Sequence, residues 1–337
     1  MPAPHSARPK LDPVVWQPPP ARVRTADSAI GQYRLEVISV PGHGPEDVVF
    51  DAEGRIVTGL EDGRILRISE NGRRIDTLAN THGRPLGIEL LPDGQLLVCD
   101  AKRGLLRVDA ESGRVEPLLE EIAGSPMRFC NNAAVARDGT IYFSDSSRRF
   151  GIEHWRAELF EHWGTGRLLR RTPEGKVEVL ADGLEFANGV ALAPDESFVC
   201  VAETTAYRLQ RYWLAGPRAG QRDVLIDGLG GFPDNIATGS DGLIWVTQAA
   251  PRNKLLDFLH PRWPVLRKLV WAIPETLQPQ PLRVVWVLGI APEDGRIVHD
   301  ISYPGHAYHM VTGVRERAGV LALGSLVEDG IALLQRV

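Results

Sequence analysis

Along this chain, short apolar runs come in pairs, each pair joined by a tight polar turn. In FCNNAAVARDGTIYFSDSS (129–147) two amides precede an Ala/Val run, Asp138-Gly139 makes the turn, and a second apolar run follows over 140–144. Asp-Gly between two such runs is a strong hairpin signal. The layout recurs in PEDVVFDAEGRIVTG, RPLGIELLPDGQLLVCD, ANGVALAPDESFVCVAE, PDNIATGSDGLIWVT and HMVTGVRERAGVLALGS. Hairpins of one design, repeated at roughly 40- to 75-residue spacing, predict an all-β fold: a six-bladed β-propeller with four-stranded antiparallel blades.

The repeats share a register. Eight residues before the turn glycines 54, 94, 139 and 242 stand Glu46, Leu86, Asn131 and Asp234; the glycine-free turn Pro194-Asp195-Glu196 gives Asn188. The last hairpin turns at Ala318-Gly319 and gives Val311, with His309 two residues earlier on the same side. Strand side chains alternate faces, so residues in equivalent register point the same way. Glu46, Asn131, Asn188 and Asp234 are therefore expected to meet at one level of the central channel. Two carboxylates and two amides form an all-oxygen set that suits a hard divalent cation, calcium best. Each alone reads as an ordinary turn residue or exposed acid; the shared offset singles them out. Leu86 breaks the ring.

Residues 1–32 read as a Pro-rich arm laid on the surface and 33–337 as the propeller. The alternating segment 33–40 precedes the first hairpin and is expected to complete blade six, closing the ring from the other chain end. Blades three and five carry insertions, 148–166 and 251–281, expected to be helical. Each joins a second strand to a third, which puts both over the ring end of the channel as pocket walls. The first offers His154, Trp155, His162 and Trp163, with the two His-Trp pairs spaced to share a helix face. The second is amphipathic and interrupted by Pro261 and Pro264. Its Leu255, Leu259, Trp263, Leu266 and Trp271 are expected to roof an apolar pocket, a membrane surface or second subunit being the alternatives. His154, Trp155, Trp163, Trp263, Leu86 and Asn132 are the expected substrate contacts.

Net charge is −5 with basic residues scattered, which excludes a nucleic-acid footprint. Cys99, Cys130 and Cys200 lack metal or disulfide spacing and read as buried thiols. No apolar run has the length of a signal core or membrane span, so a cytoplasmic protein acting on a small molecule is expected. There is no GxSxG, HExxH or Walker motif. What remains is a cation polarising a carbonyl or phosphoryl oxygen, helped by a general base. His309 is the best-placed base, with Glu46 the acid at the site and His306 and His82 weaker candidates.

GRPLGIEL, FCNNAAV, GTIYFSDSS, GRLLRRTPEG, GLEFANGVALAPDESFVCVAET, RYWLAGPRAG and FPDNIA followed by GLIWV resemble the strictosidine synthase-like branch of the gluconolactonase/paraoxonase-type calcium propellers, which includes the adipocyte plasma membrane-associated proteins. The resemblance covers nearly the whole chain after about residue 30. It implies a propeller with channel calcium on Glu46, Asn131, Asn188 and Asp234, and hydrolysis of lactones, aryl esters or organophosphate-like esters. There are departures. Leu86 stands where paraoxonase-type lactonases carry a catalytic histidine, Asn131-Asn132 replaces a frequent Asn-Asp, and His309 falls where plant strictosidine synthases place a glutamate. The chain is also expected to do without the membrane anchor of the adipocyte proteins. The reading is a calcium-dependent ester or lactone hydrolase. The alternatives are a condensing or isomerising biosynthetic enzyme and a non-catalytic calcium-stabilised binding propeller.

Overall fold

The computed structural model describes residues 8–22, 32–274, 278 and 280–336. Six four-stranded antiparallel sheets form the blades. Their inner strands are Val48–Phe50, Pro85–Leu90, Cys130–Val135, Ala187–Leu192, Gly231–Thr238 and Val311–Arg317. Blade six takes its outer strand, Tyr33–Ser39, from the start of the chain; it pairs with Gly330–Arg336 from Tyr33↔Arg336 to Ser39↔Gly330. This closure removes the free edge that a linear array of blades would leave. The core lies between sheets. Val49, Val57 and Ile65 of blade one pack on Ile88, Val98 and Leu106 of blade two, and the other interfaces repeat the pattern.

One irregularity recurs at the axis. In blades two to six the inner strand slips against its neighbour between 85 and 88, 130 and 133, 187 and 190, 233 and 236, and 311 and 314. Each slip is a β-bulge, which bends the strand and re-aims side chains. The first bulged residues are Leu86, Asn131, Asn188, Asp234 and Thr312, with Glu46 just before the short inner strand of blade one. Blade six therefore contributes Thr312 rather than Val311. Its hairpin turns through the two residues 318 and 319, whereas the 135↔141 pairing of blade three encloses a longer loop. A fixed count from the turn thus misses by one.

The second residues of the bulges, with Asp47 in the matching place of blade one, alternate around the ring: Asp47, Gly87, Asn132, Gly189, Asn235, Gly313. Space dictates the alternation. A Cβ on Gly87 would stand 2.7 Å from Asn132 Cα, one on Gly189 2.2 Å from Ile236 N, and one on Gly313 2.6 Å from Asp47 Cα. Inner strands crowd at the axis, so every other blade must give up its side chain to seat its neighbour's polar one. The polar ones bridge blades. Asp47 Oδ2 accepts from Ile88 N at 3.1 Å and from Asn132 Nδ2 at 3.3 Å, and Asn132 Oδ1 accepts from Val190 N at 2.8 Å.

The insertions fold as helices α1 (Trp155–Glu161), α2 (Lys254–Leu259) and α3 (Pro264–Ala272). The segment 8–22 crosses them without regular structure. Val14 N donates to Glu161 O at 3.0 Å and Trp16 N to His260 O at 3.2 Å, while Arg252 Nη1 reaches Pro19 O at 2.7 Å. Leu11 is buried with Phe150, Ala157, Phe160 and Leu256. Trp16 stacks on His162, centroids 4.1 Å apart, and meets His260 edge-on at 5.4 Å. The rest of the predicted arm, 1–7 and 23–31, lies outside the described residues.

Two outcomes follow. Gly189→Ala must push its Cβ into the backbone of blade five, and overpacking of that kind costs about 1–3 kcal/mol or more; it should lower the urea midpoint clearly. The strap should loosen in acid. Burial, aided by the charge of Arg267, lowers His162 to about 3, and burial with its His162 neighbour lowers His260 to about 2. Glu185 lies 3.4 Å from His162 Nδ1 but is itself pushed up to about 7 by burial. Depressed histidines stabilise fully above their unfolded value near 6.5, and that stability is lost as pH falls below it, by about 1.4 kcal/mol per pH unit for each. Amide protection of 10–18, corrected for the intrinsic pH dependence of exchange, should therefore fall between pH 7.5 and 5 by more than protection in the blades, and His162→Phe should blunt the difference.

Candidate metal centre

The bulges bring Asn131, Asn188 and Asp234 onto one cavity floor with Glu46 from the entry to blade one, and Thr312 and Leu86 complete the ring. Their orientations are fixed from behind. Glu46 Oε1 accepts from Asn235 Nδ2 at 3.0 Å, and its backbone carbonyl accepts from Thr312 Oγ1 at 2.8 Å. Asn131 Nδ2 is held on Ser146 Oγ at 2.9 Å, and that hydroxyl donates onward to Ala187 O at 2.6 Å. The Asn188 carbonyl accepts from Ser144 Oγ at 2.6 Å. Hydroxyls of the second strands repeat this stitch elsewhere: Thr204 to Pro233 O at 2.7 Å, Thr247 to Thr312 O at 2.8 Å.

The front atoms are left over. Glu46 Oε2, Asn131 Oδ1 and Asn188 Oδ1 are buried and accept no hydrogen bond. Unsatisfied buried acceptors are rare and costly, so three at one spot ask for a partner. The charge pattern asks for a positive one. Burial raises the carboxyl of Glu46 well above its usual range, and nearby Asp234 and Asp47 raise it further against the pull of Arg84. Burial likewise lifts Asp234 to about 7, offset in part by the Asn188 side chain. Two carboxylates and two amide oxygens, pre-oriented and short of a cation, fit calcium by donor type and charge. Among the described residues no three His, Cys, Asp or Glu side chains group as a metal site; half of this donor set is amide.

Above the floor opens a cavity of about 510 Å³. Leu86, Phe129, Phe186, Ile152 and Trp155 pack together as one wall. Leu159 and Phe160 of α1 and Leu255, Leu256 and Leu259 of α2 stand over it. Both insertions thus overhang the ring end, as their place in the meander predicts. Glu46 and Asp234 are the only acids among the described lining residues, and no histidine is among them.

Other expected contacts lie elsewhere. α1 starts at Trp155 and stops at His162, whose φ of 59° ends the helix, so the two His-Trp pairs cannot share one face. Trp155 lines the cavity; His154 does not. Trp163 is half exposed, stacks under Arg149 and donates to the Asp12 carbonyl. Trp263 is also half exposed, against Phe258, and Leu266 and Trp271 are likewise absent from the lining. Asn132 is spent on bridging blades. His309 turns its Nδ1 to Glu328, while the next residue, Met310, lines the cavity. His82 and His306 are exposed. The bridging role of Asp47, Asn132 and Asn235 has a sequence signal that an offset count overlooks: a polar doublet in alternate repeats, with glycine in the second place of the others.

The chain matches the strictosidine synthase family over residues 131–217 and the strictosidine synthase-like N-terminal family over 34–68. It is 36% identical to the adipocyte plasma membrane-associated protein of Rattus norvegicus over 84% of this chain and 81% of that one. With the strictosidine synthase-like 13 protein of Arabidopsis thaliana the identity is 34%, covering 76% and 71%. The fold matches a gluconolactonase from Xanthomonas campestris (TM-score 0.68, 20% identity, 98% and 99% covered). It also matches the calcium-binding regucalcin of Agrobacterium tumefaciens (TM-score 0.61, 16% identity, 88% and 90% covered). The cytoplasmic expectation is overturned here: a default drawn from a missing apolar run gives way to mammalian relatives named for plasma-membrane association. Among the described residues no helix is long and apolar enough to cross a membrane. Blade count, closure by the first strand, and identity over most of both chains agree, and the chain belongs to the strictosidine synthase-like family of six-bladed propellers.

Proposed function

We propose that the protein is a calcium-dependent hydrolase of lactones or esters bearing apolar groups. The observation that carries this reading is the trio of partnerless buried oxygens on Glu46, Asn131 and Asn188, beside Asp234, on the floor of an apolar cavity. Those four side chains would hold the cation. Bound there, calcium supplies Lewis acidity toward a substrate carbonyl oxygen.

The protein's own groups do the rest. Asn235 and Ser146 lock Glu46 and Asn131, so their free oxygens face the axis without reorganising. Proton transfer falls to Glu46 and Asp234, the two acids of the described lining. Leu86, Phe129, Phe186 and Trp155 keep one side of the cavity dry and favour apolar acyl or alkyl groups over sugar-like ones. A condensing reaction is the second reading, favoured by the strictosidine synthase match over 131–217.

A panel of lactones, aryl esters and amine–aldehyde pairs, run with calcium and after chelation, separates them. Hydrolysis should need calcium, and Glu46→Gln should cut kcat/KM by about a hundredfold or more, the scale for losing a charge-stabilising group. The same variant should lose most of the calcium-induced rise in Tm. Stripped of metal it should melt above the wild type, because one of two mutually repelling acids is gone. Hydrolysis indifferent to both chelation and Glu46→Gln would sink the reading. Calcium stabilisation without turnover would assign a binding propeller, and product from amine and aldehyde alone a condensing enzyme.

A further inference from the structure

Helix α3 is built inside out. Its one fully buried residue is Arg267, whose guanidinium donates to Phe160 O at 2.7 Å and to the Val14 carbonyl. Val270 and Trp271 pack inward beside Leu11 and Phe160, but a second apolar set faces outward: Val265 is 67% exposed and Leu269 59%, with Leu266 and Ile273 beside them. α2 adds Leu255 and Phe258, the link adds Trp263, and the segment leading into the returning strand contributes Leu282, 72% exposed. A surface helix in water buries its apolar stripe and exposes its charges, and scattered apolar residues are ordinary whereas a contiguous patch marks a contact surface. Here the arrangement is reversed.

The charge around the patch names the partner. Exposed residues of 254–274 and 280–283 include Lys254, Arg262, Lys268 and Arg283 and no carboxylate, on a chain of net charge −5. Asp257 is half-buried and accepts from the Tyr207 hydroxyl at 2.8 Å; Lys268 has a loose partner in Asp12 at 3.6 Å. Arg262 lies over the Phe258 ring, 4.3 Å from its centroid, a cation beside an apolar anchor. Exposed Leu, Val, Phe and Trp rimmed by lysine and arginine suit the boundary of an anionic lipid layer: the apolar groups enter the acyl region and the cations meet headgroups. A second copy of this acidic chain would have to bury cations against cations if the same face met itself.

We propose that α2 and α3 form a monotopic docking surface for membranes containing anionic phospholipid, seating the cavity mouth on the bilayer. Leu255 and Leu282 belong to both the patch and the cavity lining, so an apolar ligand has a continuous dry path from lipid to channel. The inference does not depend on what the channel catalyses.

The full chain should cosediment with phosphatidylcholine vesicles containing phosphatidylserine, less with pure phosphatidylcholine, and less again at high salt. Val265→Glu/Leu269→Glu, at exposed positions that leave the fold intact by circular dichroism and Tm, should weaken vesicle binding by about tenfold or more, and Lys254→Glu/Arg262→Glu should abolish the preference for phosphatidylserine. Absence of binding to either vesicle, or binding unchanged in the Val265→Glu/Leu269→Glu chain, overturns the proposal. So does a concentration-dependent dimer in sedimentation velocity that this variant dissolves without any vesicle binding, which assigns the face to a second copy.

Discussion

Crowding at the propeller axis governs this molecule. Six inner strands converge on one line, and two neighbouring blades cannot both place a side chain in the same slot of the ring. The chain resolves this by alternation: glycine at 87, 189 and 313, and Asp47, Asn132 and Asn235 between them. Asp47 and Asn132 then accept from backbone amides of the next blade and Asn235 donates to Glu46, so the channel becomes a hydrogen-bonded hub rather than a greasy plug. The bulges that create the slot also rotate the preceding residue toward the cavity floor. Closure of the ring and presentation of the oxygen set are one geometric event.

That coupling has an energetic consequence. Each bridging contact satisfies its donors, yet the residues in front, Glu46, Asn131 and Asn188, keep oxygens with no donor. Burial raises both carboxyls of the floor, so without a counter-charge the site opposes folding. Functional sites commonly store such a local deficit while the scaffold over-determines the geometry. Here the hydroxyls of Ser144, Ser146, Thr204 and Thr247, each reaching a neighbouring blade, supply that over-determination.

Sequence periodicity reveals the blades because each hairpin is local: turn glycine, alternation and offset all lie within some fifteen residues. The four floor residues are legible for the same reason, and the offset fails at Thr312 because one turn is shorter. Contacts between distant segments leave no such trace. Trp16 settling on His162 and His260 joins three separate stretches, and the pairing of His309 with Glu328 depends on how the last blade's loops fold back. The Trp163 and Trp263 placements fail on a narrower point. An aromatic in an insertion reads as a pocket wall, but which side of a short helix faces inward is set by the residues beneath it. Here those residues include polar ones beside the apolar cluster: Arg267, His162 and His260, all buried under the N-terminal segment.

The polar underside of the insertions bears on the apolar exterior. Arg267 is tied to backbone carbonyls of α1 and of the N-terminal segment, so α3 is docked by directional hydrogen bonds as well as by the packing of Val270 and Trp271. A helix held in this way needs only Val270 and Trp271 of its hydrophobic residues on its own scaffold. Its inward side is a guanidinium fork with fixed partners, which also sets its rotation. Rolling α3 to hide Val265 and Leu269 would break the Arg267 contacts and bury an unpaired cation, a penalty larger than the gain from covering two side chains. The apolar face therefore stays outward at the rim of the cavity, and the buried arginine is what keeps it there.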